Sequence, residues 1–132
     1  MPWHYMISHV ILNEGEPYQV RFALTSRGDA PAKDFLESLP ERPRDKASAW
    51  IALLAEKGPN LPRPYADVVS GPIRELRVSF GRLEIRLLYF IHGRRIVLTQ
   101  GFLKKTRGIP SAEISNAERL RALWLASPEA AS

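Results

Sequence analysis

The chain has 132 residues, of which 45% are apolar and 25% charged, and this predicts one globular domain with a core of its own. It has no cysteine, which excludes a disulfide scaffold, thiol catalysis and cysteine-ligated zinc. The formal net charge is +5, yet residues 72–121 hold 11 Lys or Arg against 4 Asp or Glu. Such a basic half is typical of a protein that binds a polyanion and also of a solvated face, and charge alone does not decide between them.

The N-terminal sequence has neither a basic start nor a long apolar middle, so we expect no secretory signal. No apolar run approaches the roughly 18 residues that cross a bilayer. We therefore expect a cytoplasmic protein with no membrane partner. Residues 1–17 are interpreted as an N-terminal extension, residues 18–127 as the folded domain and residues 128–132 as a C-terminal tail.

The first predicted element is a strand over residues 18–24. Val20 and Phe22 alternate there with Arg21, and an alternation of period two is typical of a strand with one buried face.

Two helices are predicted next. The first starts at Pro31, which suits the first turn of a helix, and Pro40 and Pro43 interrupt the pattern after it. The second ends at Gly58, followed by a proline. Its apolar stripe at helical spacing is Ala47, Trp50, Ile51 and Leu54. Two helices joined by so short a link predict an antiparallel helical hairpin.

A proline-rich connector, residues 59–72, leads to three closely spaced strands. They are predicted at 73–80, 83–91 and 94–103. The links Gly81-Arg82 and His92-Gly93 have two residues each and contain glycine, which is a strong hairpin signal. The three strands therefore form an antiparallel meander.

A last helix is predicted after Pro110. Ser111 or Ser115 is a candidate N-cap, and Ser115 with Glu118 has the spacing of a capping box. The element order β-α-α-β-β-β-α predicts an α+β fold. In it an antiparallel sheet of about four strands carries an N-terminal helical hairpin and a C-terminal helix.

The sequence offers no metal or nucleotide-binding motif. The histidines are His4, His9 and His92, and none has the spacing of metal ligands. Phosphate-binding glycine loops and a serine nucleophile elbow are also missing. We therefore expect no metal and no cofactor.

Basic side chains in the predicted meander are more informative. Arg86 lies in the central strand and faces away from Leu83 and Tyr89. A buried arginine is rare unless it is paired, so Arg86 indicates a groove, an ion pair or a sheet edge. One interpretation is that it pairs with Glu75 or Glu84 and that the other basic residues lie on a solvated face.

Four segments together resemble the RelE/ParE superfamily of toxins from type II toxin–antitoxin systems, and most of all its HigB-like, phage-derived branch. They are "GPIRELR" (71–77), "RLLY" (86–89), "FLKKTRGIP" (102–110) and "EISNAER" (113–119). "PAKDFLESLP" (31–40) also matches. The resemblance covers roughly residues 18–125, and the combination is far more specific than any one segment.

This resemblance implies a RelE-like fold and an endoribonuclease that cleaves messenger RNA, usually on the translating ribosome, and so inhibits translation. The implied partners are the ribosome with its mRNA and a cognate antitoxin, commonly a helix-turn-helix protein. ParE-like members of the superfamily poison DNA gyrase instead, which is the alternative function.

RNA supplies its own nucleophile, the 2′-hydroxyl, so its cleavage needs a proton acceptor and positive charge on the transition state rather than a metal. We expect Arg77 and Arg86 to bind the scissile phosphate, since an arginine fork bonds two oxygens at once. Lys104 or Lys105 is expected to act as base or charge stabiliser. Neighbouring strand residues face opposite sides, so the sequence does not say which lysine faces the site.

Tyr89 is the remaining catalytic candidate, and it has two interpretations. It is able to orient the nucleophile, stack on a base or transfer a proton. Regular alternation, however, places it on the face opposite Arg86, among core residues. The residues expected to contact RNA or the ribosome are Arg74, Arg82, Tyr65 and Arg107.

Overall fold

The computed structural model describes residues 6–7, 10–11 and 17–131, and in these ranges the chain forms three helices and one sheet of seven strands. The elements are β1 (Met6–Ile7), β2 (Val10–Ile11), β3 (Gln19–Phe22), α1 (Pro31–Ser38), α2 (Glu41–Lys57), β4 (Ala66–Ser70), β5 (Ile73–Phe80), β6 (Leu83–His92), β7 (Arg95–Leu103) and α3 (Ser111–Leu125). Short 3₁₀ turns follow α2 at Gly58–Asn60 and α3 at Pro128–Ala131. The predicted α+β class and the predicted succession of helical hairpin, meander and last helix are confirmed.

The strands lie in the order β1-β2-β3-β7-β6-β5-β4. The antiparallel meander of β5, β6 and β7 is as predicted, with the first turn at residues 81–82 as expected and the second at 93–94, one residue later than the predicted link, because β6 extends to His92. The sheet is larger than the four strands expected, because β4 forms within the proline-rich connector and because β1 and β2 precede β3. In addition, β3 runs parallel to β7, with Val20 opposite Ile96.

Helices cover both faces of the sheet. On one face α1 and α2 pack over a core that includes Leu36, Leu54, Leu76, Leu87 and Tyr89. On the other face α3 packs over a second core, whose members include Leu88, Phe90, Val97, Leu120 and Trp124. The two faces are called here the α2 face and the α3 face.

The ends of α2 follow from its glycine and prolines. Pro43 was expected to interrupt the helices, but it lies in the first turn of α2, where a backbone N–H has no partner inside the helix. The end at Gly58 is as predicted. Gly58 has φ +55°, and a Cβ at this position would lie 2.2 Å from the ring of Tyr18. Both the turn and the close approach therefore require glycine.

The last helix begins at Ser111 with no side-chain cap, and the capping box predicted at Ser115 is wrong because Ser115 lies inside the helix. After α3 the chain returns to the sheet, where Arg21 pairs with Glu129 at 2.7 Å and Arg95 donates to backbone carbonyls of the final 3₁₀ turn. None of the helices in the described ranges is long and apolar enough to cross a membrane.

Candidate functional site

The candidate site lies at one end of the sheet, where the outer edge of β5 is uncovered. The strand β4 pairs with the outer edge of β5 and begins at Ala66, opposite Leu76. The last hydrogen bond along this edge joins the Arg77 N–H to the Tyr65 carbonyl at 2.8 Å. Beyond it, no described strand lies beside residues 78–80. Lys46 of α2 reaches over this edge and donates to the Ser79 carbonyl.

The uncovered edge opens into a pocket of about 340 Å³. Its walls come from α2, the connector before β4, and the strands β5 and β6. The lining residues are Lys46, Trp50, Pro64, Tyr65, Arg77, Ser79, Glu84 and Arg86. Three cations, two aromatic rings and a carboxylate therefore share one opening.

Arg77 and Arg86 stand directly opposite each other in β5 and β6. Like charges in this position repel each other, and the carboxylate of Glu75 offsets this by pairing with both guanidinium groups. Glu75 Oε1 lies 3.1 Å from Arg86 Nε, and Glu75 Oε2 lies 3.4 Å from Arg77 Nη2. Each arginine also has a second carboxylate, Asp67 for Arg77 and Glu84 for Arg86, both at 3.3 Å. The interpretation that Arg86 pairs with Glu75 or Glu84 is thus confirmed for both carboxylates.

The two arginines differ in their exposure. The side chain of Arg86 is 8% exposed, and it also donates to the Ile85 carbonyl at 3.0 Å. That of Arg77 is 32% exposed. Arg77 therefore presents its guanidinium to the pocket, whereas Arg86 is held behind it.

Asp67 secures the outer side of Arg77. The pKa of Asp67 is lowered, chiefly because its carboxylate accepts a hydrogen bond from the Val68 N–H at 2.8 Å. Desolvation of the carboxylate raises the pKa of Asp67, whereas the positive charges of Arg63 and Arg77 lower it further. Asp67 is therefore ionised at neutral pH, and it holds Arg77 in place.

The two lysines after β7 lie on opposite faces. The Lys104 N–H donates to the Glu84 carbonyl at 2.7 Å, which continues the pairing of β7 with β6. Residues paired in this way share a face, so Lys104 lies on the same face as Glu84 and Arg86. Lys105, one residue further, faces the other way and is exposed. Within the described residues, neither lysine pairs with a carboxylate. Lys104 thus shares the face of Arg86, although it does not line the pocket.

Tyr89 is not brought to the pocket. It is fully buried on the α2 face, in the core that also holds Leu87. The irregularity in this part of the sheet is on β7, where Thr99 is the extra residue between Leu98 and Gln100, and it does not turn Tyr89 over. Burial raises the pKa of Tyr89, and the positive charge of Arg74 offsets part of this. The structure supports the interpretation of Tyr89 as a core residue.

Of the four residues expected to contact RNA, only Tyr65 lines the pocket. Arg74 lies opposite Tyr89 and therefore on the α2 face. Arg82 is exposed in the turn between β5 and β6, and Arg107 is exposed in the loop before α3.

Two lining residues, Lys46 and Trp50, were not predicted as site residues. They are four positions apart on α2, so they are neighbours on its surface, and the Lys46 ammonium lies 5.1 Å from the centre of the Trp50 ring. Trp50 was interpreted as core, but it is only half-buried and its ring lies 5.8 Å from that of Tyr65. A tryptophan with a lysine one turn before it is the signal that the sequence offered.

Arg77 and Arg86 are paired with carboxylates, whereas Lys46 pairs with none in the described ranges, and the two rings suit a flat ligand. Across the described ranges, no group of three or more His, Asp or Glu side chains is arranged to hold a metal ion. What the arrangement is able to do is to bind a phosphate at Arg77 and to stack an aromatic ring on Trp50 or Tyr65.

The family described as "Phage derived protein Gp49-like (DUF891)" matches residues 34–122, well over half of the chain. This span contains every residue that lines the pocket and also Lys104 and Lys105. A search of curated proteins found no match.

Proposed function

The chain belongs to the Gp49-like family of phage-derived proteins, a RelE/ParE-like toxin family, and from this premise we propose that it is a HigB-like toxin that stops translation by cleaving messenger RNA. Membership of a toxin family implies a cognate antitoxin as partner. For this toxin we propose a helix-turn-helix antitoxin, the cytoplasm as its place of action, and messenger RNA on the ribosome as its substrate.

The observation that carries the proposal is the partly exposed side chain of Arg77 beside Trp50 and Tyr65 in one pocket. Protein sites for single-stranded RNA commonly combine cations for the backbone with aromatic rings for the bases. The pocket places both kinds of side chain at one opening, which supports RNA as its ligand.

In the proposed reaction the 2′-oxygen attacks the adjacent phosphorus, and the bond from phosphorus to the 5′-oxygen breaks. The 2′-hydroxyl loses a proton, the 5′-oxygen gains one, and the products are a 2′,3′-cyclic phosphate and a 5′-hydroxyl end. No metal is needed, provided that positive charge is in place for the transition state. Arg77 binds the phosphate oxygens, for which it exchanges a carboxylate partner.

Arg86 has a supporting role in this proposal. It is nearly buried and its charge is neutralised by Glu75 and Glu84, so it fixes Glu75, the carboxylate that also holds Arg77. Lys104, on the same face, acts on the reacting oxygens as proton carrier or charge stabiliser. Lys105 faces away and takes no part.

This difference between the lysines gives a matched test. Lys104→Ala and Lys105→Ala remove the same charge from neighbouring positions, and each is expressed without antitoxin beside wild type and Arg77→Ala. Transcript cleavage is measured by primer extension. We expect both growth arrest and cleavage to be lost in Arg77→Ala and Lys104→Ala and to be kept in Lys105→Ala. Equal toxicity of all four proteins would show that the site is elsewhere.

The alternative function, a ParE-like poison of DNA gyrase, gives a different result in the same cells. It produces DNA breaks and an SOS response while transcripts stay intact. This outcome would replace the ribonuclease proposal and leave the family assignment unchanged.

A further inference from the structure

Trp50 and Tyr65 form an aromatic corner in the wall of the pocket. Their ring centres are 5.8 Å apart and their planes are inclined by 56°. Both rings are half-buried, so each is supported by the core and still reaches the opening. Each ring therefore has surface that a ligand in the pocket is able to contact.

The geometry of this corner limits what it can bind. The rings are too close for a third ring to enter between them, since stacked rings need several ångströms on each side. A flat ligand therefore stacks on one ring and meets the edge of the other. A volume of about 340 Å³ lies within the range of small-molecule pockets, so one nucleotide is a suitable occupant.

Lys46 adds a cation to the corner. Its ammonium has three donors and gives one to the Ser79 carbonyl while it lies over the Trp50 ring. Arg77 and Arg86 are neutralised by carboxylates, but no carboxylate in the described part of the chain pairs with Lys46. It is the cation in the pocket that binds a phosphate without first releasing a carboxylate.

We propose that Trp50, Tyr65 and Lys46 form a nucleotide subsite, in which a base stacks on the aromatic corner and its phosphate lies between Lys46 and Arg77. The subsite rests on the proposed function in that its ligand is taken to be single-stranded RNA. It accepts any base, because stacking uses the ring face that all bases share.

The test uses the whole protein and a five-nucleotide RNA in which every 2′-hydroxyl is replaced by fluorine, so that binding is measured without cleavage. Stacking on Trp50 is expected to quench tryptophan fluorescence. We expect the quench to disappear in Trp50→Phe and to persist in Trp124→Phe, the control on the other face of the sheet. Tyr65→Leu is expected to raise Kd about tenfold, since stacking contributes about 1–3 kcal/mol per base.

Three results would overturn the subsite. They are a quench that persists in Trp50→Phe, an unchanged Kd in a folded Tyr65→Leu protein, and tighter binding of a five-residue polyglutamate peptide than of the RNA. The last result would assign the pocket to an acidic protein partner. Because the RNA analogue cannot be cleaved, its stacking supports the subsite even if transcripts in cells stay intact, and in that case only the proposed cleavage fails.

Discussion

Glu75→Gln tests whether one buried carboxylate holds the two arginines of the site. The Glu75 side chain is 7% exposed, and its two oxygens face Arg86 and Arg77 at 3.1 and 3.4 Å. Glutamine keeps the size and an acceptor oxygen but removes the negative charge. Two guanidinium groups that stand opposite each other then lose the charge between them.

The expected cost follows from burial and from the partners that remain. Removal of one member of a buried ion pair costs about 3–5 kcal/mol when the other is left without a partner. Here Arg86 keeps Glu84 and Arg77 keeps Asp67, so we expect about 2–3 kcal/mol. Glu84→Gln is the matched control. Its side chain is 44% exposed, and an exposed pair contributes about 0–1 kcal/mol.

Urea denaturation measures both variants. With a slope of about 1–3 kcal/mol per molar urea, the midpoint of Glu75→Gln should fall by about 1–2 M with its slope unchanged, and that of Glu84→Gln by much less. If both variants lose the same small amount, Glu75 does not hold the arginines and the reasoning about the site is wrong.

Three further predictions concern Tyr89, Gly58 and Asp67. Tyr89→Phe should keep toxicity and change the free energy of unfolding by less than about 1 kcal/mol, because the ring fills the core and its volume is conserved. A loss of toxicity would show that Tyr89 belongs to the site. In wild type, the contribution of the Tyr89 pKa shift to stability is present below about pH 10 and is lost as pH rises through its raised pKa, which ultraviolet titration of the phenol measures. Gly58→Ala should cost about 1–3 kcal/mol in thermal unfolding because of its positive φ and the Tyr18 ring, and an unchanged melting temperature would contradict this. For Asp67, NMR titration should give a midpoint below 3.8, so that its contribution to stability is present above this value and is lost as pH falls through the lowered pKa; a midpoint above 3.8 would contradict the pairing described.

Local sequence signals accounted for most of the fold. The glycine-containing links predicted at residues 81–82 and 92–93 indicated a meander, because a tight turn brings consecutive strands together, and the second turn differs from its prediction by one residue. The end of α2 was also predictable from the local sequence, because Gly58 adopts a positive φ that other residues avoid.

Features that depend on distant contacts were not predicted. The strand β4 has five residues between prolines and lies at the sheet edge with Val68 exposed, so it lacks the apolar alternation that marks a strand. Parallel pairing of β3 with β7 joins residues 76 positions apart, and no local pattern reports such a partner.

The site was predicted in part, for the same reason. Arg77 and Arg86 were found from their strand positions, but their carboxylate partners show that these two charges are neutralised within the fold. Lys46 and Trp50 were missed because α2 was interpreted from its apolar stripe alone. Their place in the pocket depends on a contact between Lys46 and Ser79 that spans 33 positions.

The most direct test of the central claim is to map the 5′ ends of transcripts after the toxin is induced without its antitoxin. Cleavage through the 2′-oxygen at Arg77 predicts new 5′-hydroxyl ends inside coding regions in wild type and none in Arg77→Ala. Growth arrest by the wild-type protein with transcripts intact would contradict the claim.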